Sequence, residues 1–237
     1  MRRALVTGGS RGIGHAIAKA ILHDGGRVAI TGLDATRVNR AVETLGRDCG
    51  DPDRVFGAAV DVRDRDAVQE TIAAVAARFG GLDTLVNNAG VGRFRDVASM
   101  TDVEWHDVIA TNLTGVFYCT RAAIPELRKA RGAWIINIAS LAGRNSFSGG
   151  AAYCASKAGL VAFSEALMQE VRFDDIRVSV VMPGSVATDF SGPHAKTDES
   201  WKLTPDDVAE VVADLLRHPA RSLPSKVEIR PSKPSKT

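Results

Sequence analysis

Tyr153 and Lys157 lie four positions apart in the alanine-rich segment AAYCASKAGLVAF. Side chains at this spacing project from one face of a helix about one turn apart, so both can reach the same site. A free tyrosine titrates near pH ~10, and an ammonium about 4 Å away at an effective dielectric of about 20 lowers that pKa by up to about three units. The pair could therefore act as a general acid/base and its tuning cation. The spacing alone equally permits a packed tyrosine and a surface lysine.

A glycine-rich stretch, TGGSRGIGHAIAKAI, places Gly8, Gly12 and Gly14 between a strand-like run and an amphipathic segment. Strand, glycine turn and helix form a context in which proteins bind a diphosphate. The glycines let the backbone turn sharply, and the helix N-terminus offers free N–H groups. The spacing G-x3-G-x-G differs from the commoner G-x-G-x-x-G. Taken alone, the stretch is compatible with a nucleotide site and with a simple packing turn.

The composition bounds the class of protein. The chain has 237 residues, 45% of them hydrophobic, and a formal net charge of +2. This balance favours a small-molecule partner over nucleic acid or an acidic membrane. Cys49, Cys119 and Cys154 are odd in number and lack C-x-x-C spacing, and the five histidines are scattered, so the sequence predicts neither disulfides nor a metal site. With no signal peptide or long apolar run, we expect a soluble cytoplasmic protein.

The elements that must position these residues alternate along the chain. Seven apolar or β-branched runs are typical of strands: ALVT, VAIT, VFGAAV, TLVN, WIINI, VSVVM and KVEI. Between them lie segments with helical periodicity, such as HAIAKAILHDGG, DAVQETIAAVAARFGG and EWHDVIATNLTGVFYCTRAAIPELRKA. The alternation predicts an α/β fold with one doubly wound parallel sheet of about seven strands and helices on both faces. We expect one domain over residues 1–230 and a basic, extended, proline-containing tail over residues 231–237.

Several motifs in order make the pattern specific. After the glycine loop come NNAG at Asn87–Gly90, Asn112, and Ser140 thirteen residues before Tyr153. The segment PGSVATDF, residues 183–190, follows. Together these motifs resemble the short-chain dehydrogenase/reductase family over almost the whole chain. The resemblance implies a Rossmann-like fold and an oxidoreductase that transfers hydride between a nicotinamide cofactor and a carbonyl or secondary alcohol.

The resemblance also implies four catalytic residues. Tyr153 would donate a proton to the carbonyl oxygen and take one from the alcohol in reverse, while Ser140 would hydrogen-bond the same oxygen. Lys157 would also bind the nicotinamide ribose, and Asn112, at the end of the helix DVEWHDVIATN, would hold a water in a proton relay. Taken singly, each residue has a structural alternative: a packing tyrosine, a strand-end serine cap, a solvated lysine, and an asparagine that terminates a helix.

Further residues would bind the cofactor. Asp61, after the third strand, resembles the acid that receives the adenine amino group, although an aspartate capping the next helix is the rival interpretation. Asn87 would in part hold neighbouring strands together, and Thr188 would bond the carboxamide. The full predicted set is Gly8, Ser10, Arg11, Gly12, Ile13, Gly14, Asp61, Val62, Asn87, Ala89, Gly90, Tyr153, Lys157, Pro183, Gly184, Val186 and Thr188.

Five positions bear on the choice between NADP(H) and NAD(H). Gly32 stands where NAD-preferring relatives carry an acid, and Arg11 is a basic residue often seen in NADP-preferring relatives. Leu33 replaces a second arginine of those relatives, so the phosphate site is incomplete unless Arg37 contributes. The sequence favours NADP(H) with NAD(H) possible, and Asp34 turning into the site would contradict that preference.

Two alternatives to the NADPH-dependent carbonyl reductase stay open at this point. One is an NAD-dependent alcohol dehydrogenase, and the other is a catalytically silent dinucleotide-sensing module. The short interval after Thr188 suggests an open pocket, and the ending LPSKVEIRPSKPSKT departs from 3-oxoacyl-carrier-protein reductases. The resemblance further implies a homodimer or homotetramer, paired through the long helices on either side of WIINIAS.

Overall fold

Seven parallel strands form one sheet in the part of the chain that the computed structural model describes, residues 1–188, 190 and 199–234. The strands are β1 (Arg3–Val6), β2 (Arg27–Gly32), β3 (Val55–Ala59), β4 (Thr84–Asn87), β5 (Ala133–Ile138), β6 (Ile176–Pro183) and β7 (Lys226–Ile229). Their order is β3-β2-β1-β4-β5-β6-β7, and all six neighbouring pairs are parallel. The predicted α/β, Rossmann-like fold is confirmed.

Helices join the strands and cover both faces of the sheet. Within the described ranges they are α1 (Gly12–His23), α2 (Ala35–Asp48), α3 (Arg65–Phe79), α4 (Asp102–Ile109), α5 (Gly115–Leu127), α6 (Ala151–Val171) and α7 (Pro205–Arg217). Helices α1, α2 and α7 contribute buried residues to a core on one face, and α3, α5 and α6 contribute to a core on the other. No helix among the described residues is both long and apolar enough to cross a membrane.

The strands are apolar because both faces of the sheet are covered. All six residues of β5 are buried, including Trp134 at 0% exposure. Parallel strands covered on both sides read as continuous apolar runs rather than as alternating ones. WIINI and VSVVM are therefore strands although polar and apolar residues do not alternate in them.

The chain between α4 and α5 differs from the sequence-based expectation. Residues Ala110–Thr114 form a π-helical turn, so the helix does not end at Asn112 but continues from α4 into α5. The prediction that Asn112 terminates a helix is therefore wrong. A π-helical turn inserts an extra residue into an α-helix and commonly occurs at functional sites.

The parallel topology places the site. All seven strands run in one direction, so the segments that follow β1, β3, β4, β5 and β6 emerge at the same edge of the sheet. Ligands of open α/β sheets bind outside the carboxyl ends of the strands. The glycine loop, Asp61, NNAG, Ser140 and Pro183 all lie at that edge.

Candidate active site

A cleft of about 1050 Å³ opens at the carboxyl edge of the sheet. Most of the predicted site residues line it: Gly8, Ser10, Arg11, Gly12, Ile13, Asp61, Val62, Ala89, Gly90, Ser140, Tyr153, Lys157, Pro183, Gly184, Val186 and Thr188. Fold formation thus brings together residues from opposite ends of the chain. Gly14, Asn87 and Asn112 do not line the cleft, and each has a separate structural explanation.

The glycine loop needs glycine for two different reasons. Gly8 and Gly12 have φ angles of 64° and 56°, in the left-handed region that disfavours side chains. A Cβ at Gly14 would instead lie 2.6 Å from the carbonyl oxygen of Gly8 and in collision with Asn88 Nδ2. Gly14 is buried and does not line the cleft. It allows α1 to pack closely against Gly8 and Asn88.

Asn88 ties this loop to the end of β4. Its Nδ2 donates to the carbonyl oxygens of Thr7, at 2.9 Å, and Gly8, at 3.2 Å. In return, Thr7 Oγ1 accepts from the backbone N–H groups of Asn88 and Ala89, both at 3.0 Å. Asn88 lines the cleft although the sequence analysis singled out Asn87 instead. Asn88 lies just beyond β4, which ends at Asn87, so no strand pattern in the sequence marks it.

Asn87 has a structural position. It is 2% exposed, and its Nδ2 donates to Asn137 Oδ1 at 2.8 Å and to Thr120 Oγ1 at 3.1 Å. These bonds join β4 to β5 and to α5. These contacts agree with the strand-linking contribution expected of Asn87, and its contact with a cofactor stays a prediction.

Tyr153 and Ser140 both line the cleft, and their side chains are hydrogen-bonded to each other. Burial raises the pKa of Tyr153 above its ordinary value, and a hydrogen bond from Ser140 acts in the opposite direction. Ser140 Oγ also accepts from the backbone N–H of Ala142 at 3.1 Å, which caps the short helical turn after β5. The capping alternative for Ser140 is thus present alongside its contact with Tyr153.

Lys157 is buried at 4% exposure, and its Nζ donates to the carbonyl oxygen of Ile138 at 2.9 Å. This nitrogen lies 5.8 Å from the centroid of the Tyr153 ring. Burial lowers the pKa of Lys157 to about 8. The expected lowering of the Tyr153 pKa by this ammonium is not what the structure shows, because desolvation of the phenolate outweighs the hydrogen bond from Ser140 and raises the pKa. Lys157 lines the cleft, as predicted. The alternative interpretation, a solvated surface lysine, is wrong because the side chain is buried.

Asn112 is fully buried and bonded to protein groups. Its Oδ1 accepts from the Val91 N–H at 2.8 Å, and its Nδ2 donates to Val91 O at 2.9 Å and to Ser156 Oγ at 3.0 Å. A Cβ on Gly90 would lie 3.3 Å from Asn112 Oδ1 and 3.7 Å from Lys157 Nζ, so both polar atoms border this glycine. Asn112 thus fixes the loop after NNAG, and its relay function stays a prediction.

Asp61 forms an ion pair within the cleft wall. Arg63 Nη2 lies 2.6 Å from Asp61 Oδ2, and the Arg63 guanidinium lowers the pKa of that carboxyl. Arg63 also contacts Asp107 at 2.9 Å. The rival interpretation of Asp61 as the next helix cap is wrong, because Asp64 caps α3 by accepting from two backbone N–H groups. Adenine recognition by Asp61 stays a prediction.

The region that would discriminate between the coenzymes lies after β2. Arg11, Leu33 and Arg37 line the cleft, and Leu33 is 69% exposed. Asp34 accepts from the Arg37 backbone N–H at 2.9 Å and so caps α2. Asp34 also lines the cleft, so this cap does not take it away from the site, and the preference for NADP(H) rests on Arg11 and Arg37.

The C-terminal segment also reaches the cleft. Pro231 and Pro234 line it, and the Gly184 N–H donates to Ile229 O at 2.8 Å. A Cβ on Gly184 would lie 3.1 Å from Pro231 Cδ. The predicted tail therefore begins as part of the cleft wall, while residues 235–237 lie outside the described residues. Asp189 of the PGSVATDF motif and residues 191–198, which hold much of the interval after Thr188, also lie outside them.

The burial of Lys157 predicts a pH-dependent stability. Its pKa falls from 10.5 in the unfolded chain to about 8 in the folded one, so between these values the unfolded chain binds more protons. Stability should therefore rise with pH in that window. We expect the free energy of unfolding of the wild type, minus that of Lys157→Met, to increase by roughly 2–3 kcal/mol from about pH 7 to about pH 10. Urea unfolding of the cofactor-free proteins measures this, and a difference that stays constant would contradict it.

Comparison with known proteins supports the same class of protein as the site residues do. Residues 2–199 match the family model for short chain dehydrogenase. The chain belongs to this family and is an NAD(P)-dependent oxidoreductase, as its motifs predicted. No finding favours the catalytically silent sensing module.

Individual relatives give a finer picture. The chain is 39% identical over 190 residues to 3-oxoacyl-[acyl-carrier-protein] reductase FabG of Chlamydia trachomatis, covering 80% of this chain and 76% of that protein. It is 39% identical over 228 residues to nodulation protein G of a Rhizobium species, covering 96% and 86% of the two chains.

Solved structures match over nearly the full chain. An alcohol dehydrogenase from the archaeon Thermococcus sibiricus, complexed with 5-hydroxy-NADP, superposes with a TM-score of 0.90 at 30% identity and covers 98% of both chains. A metagenomic short-chain oxidoreductase in complex with NADP has a TM-score of 0.84 at 38% identity and covers 97% of both.

Proposed function

We propose that this chain is an NADPH-dependent carbonyl reductase that also oxidises the corresponding secondary alcohol. The observation that carries the proposal is that Tyr153, Ser140 and the buried Lys157 line the same cleft as the glycine loop. Two hydroxyl groups at one point can hold a carbonyl oxygen, and the loop offers a place for a diphosphate.

The residues present fit a dinucleotide. Gly8 has a positive φ, and a Cβ there would lie 2.9 Å from the Ala89 Cα, so the loop forms a cradle that only glycine leaves open. Thr31 Oγ1, at the wall of the same cleft, is buried without a hydrogen-bond partner among the described residues. Buried polar atoms are rarely left unpaired, so this hydroxyl supports a polar ligand beside β2.

The chemistry follows from the protonation states. A bound nicotinamide supplies or accepts the hydride. Tyr153, with its raised pKa, is a neutral phenol at neutral pH and can donate its proton to a carbonyl oxygen. Ser140 donates a second hydrogen bond to that oxygen and stabilises the charge that develops on it. Lys157 presents a cation whose Nζ lies 5.8 Å from the centroid of the Tyr153 ring. Oxidation of an alcohol requires the tyrosinate, so this direction should gain as pH rises.

The direct test is oxidation of NADPH followed by absorbance. The substrate panel contains diketones, quinones, steroids and 3-oxoacyl thioesters, with NADH measured in parallel. Turnover of 3-oxoacyl thioesters above all others would favour the second candidate, a 3-oxoacyl reductase, which the names of the curated relatives support. Binding of coenzyme without reduction of any carbonyl would contradict the proposed function.

Preference for NADPH is supported by Arg11 and Arg37 in the cleft wall and by the NADP found in the similar structures. NAD(H) remains the alternative coenzyme. A hydrogen bond to a charged group contributes about 1.5–3 kcal/mol, so we expect Arg11→Ala to reduce kcat/KM for NADPH by roughly 10- to 100-fold. The value for NADH should change by less than about 3-fold, because NADH lacks the 2′-phosphate.

Arg40→Ala is the matched control for this variant. Arg40 is exposed on α2 and does not line the cleft. Arg40→Ala should leave kcat/KM unchanged for both NADPH and NADH. Equal losses for NADPH and NADH in Arg11→Ala would show that the arginine does not read the phosphate.

We further propose a homodimer or homotetramer in the cytoplasm. Large apolar side chains remain exposed on α4 and α5, including Trp105 and Phe117 at 40% each, which supports a protein contact there. Cys49, Cys119 and Cys154 are free thiols, which suits a reducing compartment. Sedimentation measures the number of subunits.

A further inference from the structure

Two phenylalanines contact the ring of Tyr153, and a third packs on one of them. Phe94 meets this ring edge to face, with centroids 5.6 Å apart and planes at 72°, and Phe190 lies 5.8 Å from it. Phe147 packs on Phe94 at 5.8 Å. All four residues line the cleft, and they are called the aromatic chamber below.

Two glycines make room for these rings. A Cβ on Gly92 would lie 2.8 Å from both Phe190 Cε1 and Phe94 Cζ. A Cβ on Gly150 would lie 2.5 Å from Phe147 Cε2. The three phenylalanines come from separate segments, after β4, before α6 and after β6. The chamber is thus an arrangement that several parts of the chain support, and not a chance exposure of one ring.

The chamber keeps much apolar surface open. Phe94, Phe147 and Phe190 are 42%, 49% and 37% exposed. Large apolar side chains left exposed together inside a cleft mark a binding site for an apolar group. Tyr153 forms one wall of this space, so whatever fills it lies next to the carbonyl carbon that the enzyme reduces.

We propose that the aromatic chamber binds an aromatic ring attached directly to the reacting carbonyl carbon, so that the substrates are aryl ketones or aryl aldehydes. The inference rests on the proposed reductase function and deepens it. Aromatic rings attract one another through offset and edge-to-face contacts at centroid distances of about 4.5–7 Å, beyond what apolar area alone provides. Four rings already meet in this range, and a fifth can join them by the same contacts, whereas a saturated chain gains only area.

The test compares matched pairs of ligands that differ in aromaticity. Acetophenone and cyclohexyl methyl ketone are used as substrates, and benzamide and cyclohexanecarboxamide as inhibitors. The amides are not reduced, so their inhibition constants compare binding without any difference in carbonyl reactivity. For wild type, we expect benzamide to bind roughly 3- to 10-fold more tightly than its saturated partner.

Phe147→Leu and Phe94→Leu should reduce the aromatic preference, each by roughly 2- to 10-fold, in both the kcat/KM ratio and the inhibition ratio. Leucine keeps an apolar surface but has no ring. The matched control is Phe173→Leu, a residue that is 92% exposed and does not line the cleft. It should leave both ratios unchanged.

The outcomes separate this inference from the function on which it rests. Reduction of cyclohexyl methyl ketone, diketones or 3-oxoacyl thioesters, with ligand ratios unaffected by either phenylalanine variant, would overturn the chamber assignment and leave the reductase function intact. Failure to reduce any carbonyl would instead overturn the function. A preference for the saturated ligands in wild type would also overturn the chamber assignment.

Discussion

Tyr153→Phe should lower kcat by about 10²- to 10⁴-fold for every carbonyl substrate while leaving the affinity for NADPH nearly unchanged. The variant keeps the ring that packs against Phe94 and Phe190 and loses only the hydroxyl. A proton donor is thereby removed from the position where charge develops on the carbonyl oxygen. Single-turnover measurements with saturating NADPH would assign the loss to the chemical step.

The chain offers a matched control, because Tyr118 is the other of its two tyrosines. Its ring packs on Phe117, with centroids 5.7 Å apart, and the Arg121 guanidinium lies over it in a cation–π contact. Tyr118 does not line the cleft. Tyr118→Phe should keep wild-type turnover. Retention of turnover in Tyr153→Phe would show that another group or a water supplies the proton.

Gly14→Ala is expected to weaken NADPH binding by at least about 10-fold and to destabilise the fold by roughly 1–3 kcal/mol. In a helix, replacing glycine by alanine normally stabilises by about 1 kcal/mol, so the expected effect has the opposite sign to the propensity rule. The reason is steric, since the new Cβ would lie 2.6 Å from the Gly8 carbonyl oxygen and would displace Asn88. That displacement breaks the contacts holding the glycine loop to β4. Titration with NADPH and urea unfolding measure the two effects.

Gly50→Ala calibrates the second prediction. Gly50 has a φ of 70° and no heavy atom within 4 Å of the added Cβ, so alanine there is strained by backbone conformation alone. It should lose stability by about 1 kcal/mol and keep full affinity for NADPH. Unchanged coenzyme affinity in Gly14→Ala would show that the loop adapts without losing its geometry.

The strands were readable from the sequence because a parallel sheet covered on both faces demands continuous apolar runs. The same topology brings the carboxyl ends of the strands to one edge of the sheet, where the motifs lie together in one cleft. Motifs identify such residues through their types and order, independently of the exact contacts. Recognition of Ser140, Tyr153 and Lys157 needed no knowledge of their distances.

The features that the sequence did not predict depend on the three-dimensional surroundings of each residue. The pKa of Tyr153 follows from burial, which the helical spacing of Tyr153 and Lys157 does not reveal. Asn88, just beyond β4, lines the cleft, whereas Asn87 is buried within the strand. The aromatic chamber went unnoticed because Phe94, Phe147 and Phe190 lie in separate segments and share no motif. Their convergence is a property of the fold alone.

The π-helical turn at Ala110–Thr114 makes this part of the chain intolerant of changes in length. An α-helix advances by about 100° per residue, so deleting one residue there would restore regular hydrogen bonding but rotate all of α5 by that angle. The buried stripe of Cys119, Ala123 and Leu127 would then turn away from the sheet. The extra residue therefore sets the rotation of α5 relative to the π-helical turn. Asn112 in the turn then holds the loop at Val91, while the buried residues of α5 face the core.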